Sequence, residues 1–145
     1  MGAPALDRGT VCDGRRLDWW AWREYARSTR ILVCEEPTPP DFLWCVLRPT
    51  VAVVASWLPL EARSLVAWHE IGHMLLHPEC GDRWRELVNG AAMHGCLERQ
   101  AWRFALGFPR WDEDALAAAL DHLVALGGRL PFALSAELDR MGGAR

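Results

Sequence analysis

Two histidines four residues apart, with a glutamate between them, are the residues of this chain best suited to chemistry. His69-Glu70-Ile71-Gly72-His73 fits the pattern H-E-x-x-H. On a helix, residues four apart lie one turn apart on one face. Two imidazoles so placed can close on one Zn²⁺ from the same side. Glu70 sits at the edge of that face, where its carboxylate can take a proton from a water on the metal. The competing reading is a helix with scattered histidines, satisfied in the core or at the surface. Gly72 costs a helix roughly 1 kcal/mol against alanine, which makes sense where another element packs close. Trp68, Ile71, Gly72 and Leu75 form the expected core side, and Val66, His69, His73 and His77 the expected cleft side.

A catalytic zinc takes a third protein ligand and keeps a position for water. Glu98 is the preferred candidate, because it lies on a second expected helix that can turn back over the metal. Cys80, His94 and Cys96 compete with it. His77 is one turn beyond His73, but a straight helix cannot aim three successive turns at one ion. It is read as a structural or orienting group.

The elements that must position these residues follow from pattern and punctuation. Residues 1–14 read as a loose N-terminal arm and 15–145 as a single domain. Arg15 to Arg30 reads as a helix. Ile31 to Cys34, Phe42 to Leu47 and Val51 to Trp57 read as strands, and their short connections favour an antiparallel meander. Pro59 opens the helix that carries the histidines and Pro78 stops it. Gly81 to Gly95 reads as irregular, with room for a short helix around Arg83 to Val88. Helices are expected over Leu97 to Leu106, over Glu113 to Leu126 capped by Asp112, and over Pro131 to Met141. The expected fold class is therefore α+β: a short antiparallel three-stranded sheet packed on the histidine helix, with further helices C-terminal.

Composition narrows the function. The net charge of -3 lacks the basic excess of a nucleic-acid or acidic-membrane binder. All sixteen basic residues are arginine, which fits codon bias in a GC-rich genome. No apolar run is long enough to span a bilayer, and no signal-peptide pattern opens the chain. Cys12, Cys34, Cys45, Cys80 and Cys96 are odd in number and form no CxxC pair. They read as free thiols in a reducing compartment, which places the protein in the cytoplasm.

The stretches His69 to His77, HEIGHMLLH, and Glu98 to Pro109, ERQAWRFALGFP, resemble the ImmA/IrrE family of metallopeptidases. That family pairs an H-E-[LI]-[GA]-H-x-L-L-H helix with E-x-x-A-[ND]-x-F-A and a following proline. The resemblance covers Arg63 to Pro109. It implies a gluzincin-like domain in which His69, His73 and Glu98 hold Zn²⁺ and Glu70 is the general base. It also implies a protein partner, such as a helix-turn-helix transcriptional repressor, as the substrate of an endopeptidase. The alternative is a catalytically inactive zinc-binding protein that regulates a partner by docking. One position departs from the pattern: the family's Asn or Asp is here Trp102, whose indole donates a hydrogen bond but cannot accept one. The oxyanion-stabilising group is not legible, and Tyr25, His94 and His122 are candidate donors.

Overall fold

The computed structural model describes residues 16–40, 42–48, 50–77 and 91–142. The N-terminal arm, Cys12, Cys80 and the expected short helix at Arg83 to Val88 lie outside them. In chain order the elements are α1 (Trp22–Ser28), β1 (Leu32–Glu36), β2 (Trp44–Arg48), β3 (Val51–Ala55), α2 (Leu60–Leu76), α3 (Ala91–Gly107), α4 (Glu113–Gly127) and α5 (Phe132–Met141). The α+β class holds. Among the described residues no helix is long and apolar enough to cross a membrane.

The sheet is mixed rather than an antiparallel meander. Its order is β1-β3-β2, with β1 parallel to β3 and β2 antiparallel to it. Strand composition explains the order. β3 is Val-Ala-Val-Val-Ala and suits the central place, whereas β1 ends in Glu35-Glu36 and β2 in Arg48, charges that an edge tolerates. The proline-rich loop after β1 carries the chain past the end of β3. It is tied there by Ser56 N–H donating to Glu36 O at 2.7 Å and Trp57 Nε1–H donating to Thr38 O at 2.8 Å.

The first helix is shorter than its sequence suggests. Residues ahead of Trp22 pair instead with the turn after α3: Trp19 N donates to Arg110 O at 3.0 Å and Arg110 N to Leu17 O at 2.7 Å. Trp19 stacks on Trp111 with centroids 5.4 Å apart, and its carbonyl accepts from Trp68 Nε1 at 2.7 Å. Tertiary pairing of Asp18 with Arg110 thus overrides local helix propensity. In the other direction, α3 starts at Ala91, inside the stretch expected to be irregular.

α2 is the centre of the molecule. It runs for 17 residues from a Pro59 N-cap, with Glu61 in its first turn. Ala62 and every residue from Ser64 to Met74 are buried, so Val66 belongs to the core and not to a cleft. The sheet, α1, α3 and α4 all pack on it. Trp22, Trp68 and Trp102 fill the space between, each fully buried. Trp22 Nε1–H donates to Ser64 Oγ at 2.9 Å, which satisfies two buried polar groups at once.

Of the C-terminal helices, α4 packs on α2 and α5 on α3. Asp112 caps α4 by accepting from Ala115 N–H at 2.7 Å, and Gly128 at φ 80° ends it in a left-handed turn. α5 places the fully buried carboxylate of Glu137 against Arg99 and Arg103 of α3 and Arg140 of its own helix. Burial alone would raise the Glu137 pKa, but hydrogen bonds from Arg103, Arg140 and Arg99 lower it to about 2.

Helices α2 and α3 approach closely at Gly72. A Cβ there would lie 3.0 Å from Phe104 Cδ2, 3.2 Å from Phe104 Cβ and 3.2 Å from the Ala101 carbonyl oxygen. Gly72→Ala should therefore be net destabilising by about 1–2 kcal/mol, overpacking outweighing the gain in helix propensity. A urea denaturation midpoint at or above the parent's would show that this contact does not set the helix spacing.

Candidate metal centre

α2 brings ligand atoms of His69, Glu70 and His73 within 4.8 Å of one another, a group that could hold a metal ion. The three residues are nearly inaccessible, at 1, 2 and 4 % exposure. The two imidazoles meet edge to face, with centroids 4.5 Å apart and planes at 81°. Their Nε2 atoms face a carboxylate from α3. Glu98 Oε1 lies 3.0 Å from His69 Nε2, and Glu98 Oε2 lies 2.7 Å from His73 Nε2.

Glu70 and Glu98 thus occupy opposite edges of the His69 ring. Glu70 Oε2 accepts from His69 Nδ1 at 2.6 Å, whereas Glu98 faces Nε2 of both rings. An ion held by the two Nε2 atoms would share Glu98 and leave Glu70 as the partner of Nδ1. Two imidazoles and one carboxylate are a donor set that zinc accepts. Across a tetrahedral zinc, nitrogen and oxygen ligands lie roughly 3.4 Å apart. The observed N···O separations need to open by only about half an ångström, so the residues fit the ion.

Of the competing ligands that are described, Cys96 does not reach the site. Cys96 is exposed, and its sulfur accepts from Gln100 Nε2 at 3.5 Å. Cys80 and the His94 side chain lie outside the described residues. Tyr25 is buried among aromatic rings, against Trp68 and Phe108, and burial pushes its pKa up to about 12. That surrounding is core rather than oxyanion site. His122 is half-buried on α4.

The charges are strongly coupled. Burial would lower the His69 pKa, but the carboxylates of Glu98 and Glu70 raise it to about 9. His73 is pushed down, first by burial and then by the positive charge of His69. Burial would raise the Glu98 pKa, yet both histidines hold it well below the usual carboxylate range.

Trp102, the departure from the family pattern, contributes a face in place of an acceptor. Its indole stacks on His69 with centroids 3.9 Å apart and planes at 23°. Trp44 of β2 closes the same corner, edge-on to both Trp102 and His69 at 6.1 Å. The acceptor role at His69 Nδ1 falls to Glu70. His77 stands 3.4 Å from His73, Nδ1 to Nδ1, and its Nε2 lies 2.7 Å from Gln100 Oε1. Gln100 and Trp44 carried no signal in the sequence, since neither belongs to a ligand pattern. Trp44 also forms one wall of a cavity of about 750 Å³, lined by Leu43, Leu123, Leu130, Phe132 and Arg129 among others.

The chain matches no protein-family model, no curated protein and no solved structure. The ImmA/IrrE resemblance therefore rests on the motif residues alone.

Two measurements address the metal. Any ion at the two Nε2 atoms must displace the extra His69 proton. Zinc affinity, measured by chelator competition, should thus rise roughly tenfold per pH unit from neutrality and level off above about 9. A flat profile would mean that zinc binding displaces no such proton from His69. Glu98→Ala should weaken zinc binding much more than Cys96→Ala does; the reverse order would place a thiolate in the site.

Proposed function

We propose that this protein is a zinc-dependent endopeptidase of the ImmA/IrrE kind, built on a small gluzincin-like domain. The reading is carried by one observation: His69 and His73 present their Nε2 atoms to the same Glu98 carboxylate, with Glu70 immediately beside them. His69, His73 and Glu98 would hold the zinc. Zinc bound there would supply Lewis-acid polarisation of a peptide carbonyl and a more acidic water.

The protein's own groups supply the rest. Glu70, which rests on His69 Nδ1 in this structure, would turn from that hydrogen bond toward the Nε2 side of the ring to act as the base. It takes a proton from the attacking water and later returns it to the leaving amine nitrogen. Trp44 and Trp102 exclude water from one side of the pair, which strengthens every charge interaction inside. The apolar cavity behind Trp44 offers space for a substrate side chain. The resemblance points to a partner protein, such as a helix-turn-helix repressor, as substrate, and to the cytoplasm as its place of action.

A second reading has its own support. Glu70 is bonded to His69 at 2.6 Å, so it also serves as an orienting group that a zinc-binding docking protein would keep. Glu70→Gln separates the two. Glutamine can still accept from His69 Nδ1 but is no base. Zinc content and thermal stability should stay near those of the parent, while cleavage of the partner repressor should fall by about two orders of magnitude or more. A variant that supports the same biological response, with no cleaved partner in either case, would leave docking as the function.

A further inference from the structure

The two histidines of the motif are not oriented by the same means. His69 has Glu70 at its Nδ1, whereas His73 has another imidazole. For His73 to offer its Nε2 lone pair to an ion, its single proton must sit on Nδ1. His77 Nδ1 stands 3.4 Å away and can accept that proton's hydrogen bond only if His77 carries its own proton on Nε2. That Nε2–H in turn needs an acceptor, and Gln100 Oε1 lies 2.7 Å from it. The Gln100 amide nitrogen then donates to Cys96 Sγ at 3.5 Å. Donors and acceptors alternate along the whole row.

We infer that His77 and Gln100 are positioning residues that hold His73 in the tautomer metal ligation requires. The inference rests on the zinc-binding reading above, and extends it to two residues outside the ligand set. An ion on the His73 Nε2 lone pair gives the row one direction, ending on the Gln100 amide carried by α3 two residues beyond Glu98. The same helix thus delivers the third ligand and the end of the row that orients the second. His77 is buried at 6 % exposure, so no bulk water competes for the His73 proton. Of the two links made by His77, the one to His73, at 3.4 Å, is the longer and weaker.

The test uses zinc itself as the probe, with affinity read by chelator competition. His77→Leu keeps an apolar volume but removes both roles of the ring, and should weaken zinc binding about tenfold or more. Gln100 is exposed, so Gln100→Leu should leave the fold intact while also weakening zinc binding. Gln100→Glu keeps an acceptor at the end of the row and should bind at least as tightly as the parent. A role in packing alone would make the two Gln100 variants alike. Long-range proton–nitrogen spectra of the zinc-loaded protein should show His73 protonated at Nδ1 and His77 at Nε2. The inference is overturned if His77 carries the opposite tautomer, or if Gln100→Leu matches the parent's affinity. Should His77→Leu fail to fold, Gln100→Leu and Gln100→Glu decide the matter. A parent protein that takes up no zinc would remove the metal reading and this inference with it. Tight binding by the parent and both leucine variants would remove this inference alone.

Discussion

The spacing between α2 and α3 is the constraint on which the site depends. At Gly72 the two helices approach so closely that a single methyl group would meet Phe104 and the Ala101 carbonyl. Ala101 and Ala105 line the inner face of α3 with no exposed surface, and their small side chains permit the same approach. Glu98 lies one turn before Ala101 on that face. A wider gap would withdraw its carboxylate from one histidine or both, since a glutamate side chain has little reach to spare.

This closeness brings an electrostatic cost that the site must offset internally. His69, Glu70 and His73 are all but inaccessible, and an isolated charge at such depth is strongly disfavoured. Pairing reverses the penalty: the carboxylates raise the His69 pKa, and the histidines depress that of Glu98. A cluster so coupled loses more than one contact when any member is removed. The Glu137 cluster does the mechanical counterpart, joining α5 to the outer side of α3 through Arg99 and Arg103. Helix α3 is therefore held on one side by close packing and on the other by charge.

Each motif histidine has its own neighbour at Nδ1, and the two neighbours differ in kind. Glu70 is a full acceptor at 2.6 Å and is also the candidate base. His77 is amphoteric and depends on Gln100 for its direction. Trp102 fits this division. With Glu70 at His69 Nδ1, an acceptor at position 102 is not needed there, and a flat aromatic face fixes the ring plane instead. The indole nitrogen of Trp102 has no hydrogen-bond partner in the structure, so this arrangement leaves one buried donor unmet.

Much of this was written locally in the chain. The histidine helix, its Pro59 start, the Asp112 cap and the Gly128 stop depend on residues within a turn of each other, and local rules suffice for them. The face shared by His69 and His73 follows from helical periodicity alone, and Glu98 was legible because a second amphipathic helix carried it. Strand order was not legible. Which strand takes the central place depends on burial of the most apolar one, a comparison among three separate segments that no local rule makes. The shortened first helix had the same cause, because Asp18 meets a residue far along the chain, Arg110. So had the roles of Trp44, Trp102 and Gln100: an indole or an amide has no fixed chemistry until packing decides which atom it faces. Local spacing determined which residues could hold a metal. The tertiary approach of α2 and α3 decided which of them face one point, because only packing sets distances between residues that no helix turn connects.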